Sequence, residues 1–255
     1  MLLLVIDTAG PTGGVLLAEA DENGGAHSVD QETEILGVMD LHPRQFSAEL
    51  IPAIAALQRA SNRCLADVDA FAVVSGPGSF TGLRVGLSAV KAMAEATGKP
   101  ILTLSRLAIL ASMAAKLPSS EGSDAAVHVV LDAGRGEFYY GVYRDAGKTR
   151  VAESFETVDA LAGKIDREGG RIVFAEGTVK TALHSIARSR LCEVPSPSVR
   201  DALPLAMEEW RGRRFQNPVI VDANYLRRSD AVVVVRTKAE PVALGARARE
   251  KDVPL

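Results

Sequence analysis

Apolar residues run unbroken from Leu2 to Ile6 and stop at Asp7, which reads as a buried strand ending on a carboxylate. The turn cluster Gly10-Pro11-Thr12-Gly13-Gly14 follows, and the apolar run resumes over Val15–Ala18, so a hairpin opens the fold. After the polar link Asn23-Gly24-Gly25, a third strand is predicted near Glu34–Val38. The period then changes. Within Arg44–Arg59, residues Phe46, Leu50, Ile54 and Leu57 recur at helical spacing. Pro52 falls inside this stretch and removes a backbone donor, which predicts either a kink there or a helix that starts at Pro52. A strand at Ala70–Ser75, the turn Gly76-Pro77-Gly78, a helix from about Phe80 to Ala96, a stop at Gly98-Lys99-Pro100 and a strand at Ile101–Leu104 complete a β-β-β-α-β-α-β order.

The pattern restarts downstream. Val127–Leu131 ends at Asp132-Ala133-Gly134, Phe138–Val142 reads as its hairpin partner, and a helix at Asp159–Glu168, a strand at Arg171–Ala175 and a helix at Val179–Arg188 follow. Asp7-Thr8-Ala9-Gly10 and Asp132-Ala133-Gly134 occupy equivalent places, each closing a first strand before a hairpin, and a duplicated lobe is the simplest account.

The 255 residues fit two small lobes at the usual domain size of roughly 100–200 residues. With 47% hydrophobic and 24% charged residues, neither disorder nor a fibrous class is indicated. The opening apolar run lacks a preceding basic residue and meets Asp7 too early for a signal peptide, and charges or turn residues break every candidate membrane span. A cytoplasmic protein is expected, with Cys64 and Cys192 as small buried apolar groups rather than a disulfide or metal pair. Net charge −3 argues against this chain alone gripping a nucleic-acid backbone. The stretch Arg227–Asp252 holds seven basic and four acidic residues, and reads as a solvated tail in preference to an RNA-binding arm.

The run Gly76-Pro77-Gly78-Ser79-Phe80-Thr81-Gly82-Leu83-Arg84-Val85-Gly86 lies between a strand and a helix, where backbone N–H groups can face an anion. Its third glycine comes one residue late for a dinucleotide loop, no lysine follows Gly82 as a Walker A loop requires, and G-x-S-x-G is absent. Packing explains the run better. Ser79 suits an N-cap, while Gly82 and Gly86 share a helical face and permit close approach of another backbone. His27, His42, His128 and His184 show no metal spacing and read as surface or capping residues. Asp7 and Asp132, at the ends of core strands, are either turn-capping residues or carboxylates facing a cleft between lobes.

Taken together, Ile6-Asp7-Thr8, the Gly76–Arg84 run, Asp132-Ala133 with Arg135, and Asn224-Tyr225-Leu226-Arg227 resemble the TsaB (YeaZ) family over about the whole chain. The resemblance implies an α/β fold of the actin/Hsp70-like (ASKHA) type with two RNase H-like lobes, over residues 1–105 and 106–226, and a basic extension over 227–255. It implies a non-catalytic helper of a TsaD-like paralogue, which transfers a threonylcarbamoyl group to adenosine-37 of ANN-decoding tRNAs, with a TsaE-like ATPase as third partner. It also implies a homodimer in isolation, only indirect contact with tRNA, and ATP and magnesium at the partner complex instead of on this chain alone. By position, the partner interface falls on Leu50, Ile51 and Ile54 of one helix and on Phe80, Gly82, Leu83, Gly86 and Val90 of the next. A second reading is an ATP-using ATPase or phosphotransferase of the same fold, with Asp7, Thr8 and Asp132 at nucleotide-cleft turns.

Overall fold

A computed structural model describes residues 1–20, 33–117, 125–187, 190–224 and 226. The Asn23-Gly24-Gly25 link, His27, Tyr225 and the basic extension lie outside the described residues. The first sheet contains β1 (Leu2–Asp7), β2 (Gly13–Ala20), β3 (Thr33–Leu41), β4 (Ala70–Gly76) and β5 (Ile101–Ser105), in the order β3-β2-β1-β4-β5. The second contains β6 (Val127–Gly134), β7 (Glu137–Arg144), β8 (Thr149–Thr157), β9 (Arg171–Phe174) and β10 (Leu191–Glu193), in the order β10-β9-β6-β7-β8. Read from opposite edges, the two orders are the same. In each, the first strand pairs antiparallel with its hairpin partner and parallel with the fourth strand. This is the RNase H-like order twice over, the actin-like arrangement that the family resemblance implies.

Among the described residues, six helices cover the sheets: α1 (Phe46–Ser61), α2 (Phe80–Thr97), α3 (Arg106–Ala115), α4 (Val158–Glu168), α5 (Gly177–Ala187) and α6 (Val199–Arg211). The unbroken apolar character of β1 follows from burial on both faces. Leu2, Leu4 and Ile6 pack with α1 and α2, while Leu3 and Val5 pack with α6, as the two-residue period of a strand requires. Helix α3 serves both sheets: Ile109 joins the core of the first, and Leu107, Leu110, Ala111 and Ala114 join the core of the second.

Helix α1 starts at Phe46 and runs through Pro52, so the alternative of a start at Pro52 is not what forms. Four elements beyond the predicted set are present: α3, the edge strands β8 and β10, and α6. The last of these revises the organisation. Residues 106–226 were expected to form the second lobe, yet Val199, Ala202, Leu203, Ala206 and Met207 of α6 are buried against the first sheet. The chain after α6 stays with that sheet, where Gln216 N–H donates to Ile101 O at 2.8 Å and Asn224 N–H donates to Ser75 O at 2.8 Å. Among the described residues, no helix is long and apolar enough to cross a membrane.

Candidate functional site between the two sheets

Both candidate carboxylates form the same local structure. Asp7 Oδ1 accepts the N–H of Ala9 at 2.8 Å, and Asp132 Oδ1 accepts the N–H of Gly134 at 2.7 Å. Each is an Asx turn that closes a first strand, which is the turn-capping alternative of the sequence reading, repeated in both lobes. Asp132 Oδ2 additionally accepts from the Thr178 hydroxyl at 2.8 Å. Thr8 Oγ1 donates to Gly82 O at 2.7 Å, so its proton is used within the first lobe.

Between these turns lies a residue that sequence reasoning passed over. Arg106, the first residue of α3, is only 5% exposed, and its guanidinium lies against the backbone of Gly10, where an added Cβ would stand 2.8 Å from Nη2. Among the described residues, Arg106 Nε and Nη2 and Glu176 Oε2 are buried without hydrogen-bond partners. Burial pushes the Asp7 carboxyl above its ordinary range, and the nearby Arg106 charge and the Ala9 N–H pull it partly back. Glu176 is also raised by burial, with Arg106 opposing and Asp132 reinforcing. Asp7 is buried and turned to its own backbone, and the Arg106 guanidinium brings positive charge to the same place, with Nε and Nη2 unpartnered.

The glycine run packs on its own lobe. Ser79 caps α2, its Oγ accepting from Gly82 N at 3.3 Å. A Cβ on Gly82 would lie 2.0 Å from Thr8 O, one on Gly78 would lie 2.2 Å from Ala9 O, and one on Gly86 would lie 2.4 Å from Thr8 Oγ1. The close approach expected of these glycines is therefore real, and the backbone approached is the end of β1. Of the residues expected at a partner interface, Leu50, Ile54, Gly82, Leu83, Gly86 and Val90 are buried inside the first lobe, because their helical faces supply its core. Ile51 is 56% exposed and Phe80 43%, and Arg84 stacks its guanidinium on the Phe80 ring at 3.5 Å. Ile51 and Phe80 are thus the exposed members of the expected set.

At the same N-terminal end of α3, where Ser105 is the N-cap, Glu153 of β8 ties the lobes together. Its Oε1 accepts from Ser105 Oγ at 2.5 Å and Tyr143 Oη at 2.7 Å, and its Oε2 accepts from Asn224 Nδ2 at 3.0 Å. Burial, reinforced by the Glu153 charge, holds the Tyr143 hydroxyl in its protonated form.

The family profile described as TsaD, tRNA N6-adenosine threonylcarbamoyltransferase, matches residues 38–192, more than half of the chain. The chain belongs to the TsaD family. Among its relatives in that family, the tRNA threonylcarbamoyladenosine biosynthesis protein TsaB of Escherichia coli is 28% identical over 240 residues, covering 91% of this chain and 96% of the relative. The Bacillus subtilis protein of the same name is 28% identical over 144 residues, and that match spans 56% of each chain. A crystal structure from Pseudomonas aeruginosa, of a protein described as similar to peptidase YeaZ, superposes with a TM-score of 0.68 at 25% identity, covering 89% of this chain and 99% of that one. The chain is thus TsaB (YeaZ)-like in sequence and in fold.

Three further expectations change. His128 is not a surface residue: it is fully buried, its Nδ1 paired with Tyr140 Oη at 2.7 Å and its Nε2 with the carbonyl of Gly169, the C-cap residue of α4, at 2.5 Å. Cys64 is exposed and Cys192 half-buried, so neither is the buried apolar group expected, and both are free thiols. Arg106, Glu153 and Glu176 carried no motif. Their roles come from helices and strands that meet only after folding.

Proposed function

We propose that this chain is the non-catalytic subunit required for threonylcarbamoyl transfer to adenosine-37 of ANN-decoding tRNAs, with the transfer carried out by a TsaD-like paralogue. The observation that carries this reading is the nearly end-to-end likeness to the E. coli TsaB protein, whose name assigns it to tRNA threonylcarbamoyladenosine biosynthesis. On this reading the chain is cytoplasmic, dimerises when alone, and contacts the paralogue through the exposed part of α1 and α2 around Ile51 and Phe80. ATP and magnesium are then needed at the complex, where a TsaE-like ATPase acts, and tRNA is met through the partners.

Sedimentation velocity of the chain alone, and mixed with the paralogue from the same cell, tests the reading. A self-dimer replaced by a heterocomplex is expected; a chain that ignores the paralogue, in cells whose tRNA keeps its threonylcarbamoyl group after the gene is removed, sinks it. The matched turns at Asp7 and Asp132 are the one observation that favours a phosphotransferase instead. That reading requires ATP binding and turnover by the purified chain, lost in Asp7→Asn.

A further inference from the structure

The segment after α6 does more than cover the first sheet. Anchored at Ser75 through its backbone and at Glu153 through the Asn224 amide, it walls a cavity of about 400 Å³. The opposite walls are Ser75 and Thr103, toward the carboxyl ends of the parallel strands β4 and β5, and Arg150 and Glu153 on the edge strand β8. Open α/β sheets place ligand crevices at those strand ends, and this volume lies at the small end of the roughly 300–1,000 Å³ usual for ligand pockets.

The polar inventory narrows the ligand. Glu153, with its side chain 5% exposed, already accepts three hydrogen bonds and forms a fixed floor. Arg150 pairs with Glu153 at 3.8 Å from Nη1 to Oε2, an ion pair too long for a hydrogen bond, and its 61% exposed side chain keeps N–H donors turned to the rim. Asp222 accepts the N–H of Ala223 with Oδ1 at 2.7 Å, leaving Oδ2 open. Among the described residues, the lining therefore offers one cation, one open carboxylate and the hydroxyls of Ser75, Thr103 and Ser105, the last already given to Glu153, with Leu226 as the single large apolar side chain. A lone cation among the described lining residues does not suit a polyphosphate.

We propose that this cavity binds a small zwitterion of the free α-amino acid class, its carboxylate on the Arg150 guanidinium, its ammonium on Asp222 and a side-chain hydroxyl toward Ser75 and Thr103. A planar fork suits a carboxylate, and a carboxylate oxygen suits an ammonium. Titration calorimetry on the full chain tests the site with L-serine and L-alanine, using ethanolamine and lactate as controls that each lack one charge. Saturable binding of both amino acids is expected, tighter for serine, with the controls about tenfold weaker or worse. Arg150→Ala and Asp222→Asn should each weaken serine binding by about tenfold, with Arg150→Lys recovering part of the loss. Both residues sit at the rim, and melting curves without ligand check that the variants fold. If Arg150→Ala fails to fold, the control ligands on the unaltered chain decide alone. The proposal is overturned by no saturable binding up to about 10 mM, by ethanolamine or lactate binding as well as serine, or by folded variants that bind unchanged.

Discussion

The hydroxyl of Thr8 donates to the carbonyl oxygen of Gly82 at 2.7 Å, fastening the end of β1 to the first turn of α2. Only glycines at 82 and 86 allow that approach, since a Cβ at either would come within 2.4 Å of Thr8. The helix that reads from sequence as a partner surface is, along this stripe, an internal joint.

Gly82→Ala and Gly86→Ala therefore act on stability before they act on any partner. Overpacking of this kind costs about 1–3 kcal/mol, and the cost at position 82 should be the larger because the obstacle there is backbone. Adding Thr8→Ala should relieve Gly86→Ala, whose obstacle is the Thr8 hydroxyl, and leave Gly82→Ala unrelieved. Urea unfolding of the double-mutant cycle measures this coupling.

Surface changes on the same two helices should do the reverse. Ile51→Asp and Phe80→Asp are expected to leave the melting temperature nearly unchanged and to weaken association with the paralogue by about 2 kcal/mol, roughly 30-fold, if these side chains are its anchors. Sedimentation or calorimetry reads the difference. Full affinity in both variants would remove the α1–α2 surface from the interface.

Asp7 is a carboxylate whose burial favours the protonated form. Its folded pKa stands above the ordinary 3.8, so the folded state holds a proton the unfolded state has released. Stability falls as pH rises from the unfolded value through the folded one. Asp7→Asn, which keeps an oxygen for the Ala9 N–H, should flatten that limb and raise stability at neutral pH. Denaturant midpoints measured across that range for both proteins check the sign.

His128 gives the opposite limb. Burial lowers its folded pKa below the ordinary 6.5, so the unfolded state takes up the proton first and stability declines as pH falls below about that value. The neutral ring accepts from Tyr140 at Nδ1 and donates from Nε2 to Gly169, an arrangement a second proton would break. Tyr140→Phe should cost about 1 kcal/mol near neutrality, the value of one hydrogen bond. Thermal melts of that variant and of the parent, from neutral to acidic pH, test both statements.

Glu153→Ala removes the acceptor shared by Ser105, Tyr143 and Asn224, and strands a buried phenol. A loss of about 2–4 kcal/mol is expected, with Glu153→Gln milder. Hydrogen exchange localises it: the amide of Asn224, bonded to Ser75 O, should lose protection in the alanine variant before the strands of either sheet do.

The sequence alone determined the central strands, the hairpins and the helices α1, α2, α4 and α5, because these elements repeat apolar residues at periods of two or 3.6 and are bounded by glycine, proline or aspartate. It also determined the duplication, visible as an aspartate at the end of β1 and another within the end of β6, and the N-cap at Ser79. Edge strands β8 and β10 were illegible: Thr149–Thr157 is mostly polar, and Leu191–Glu193 is too short to show a period. Only tertiary structure decided which face of each helix would be covered, sending Leu50, Ile54 and Val90 inward and leaving Ile51 and Phe80 outside. It alone brought α6 back to the first sheet and set Arg106, Glu176 and Glu153 between the lobes. Periodicity is local and survives in one dimension. The charges of the cleft are neighbours only through contacts between distant segments, and no spacing in the chain records them.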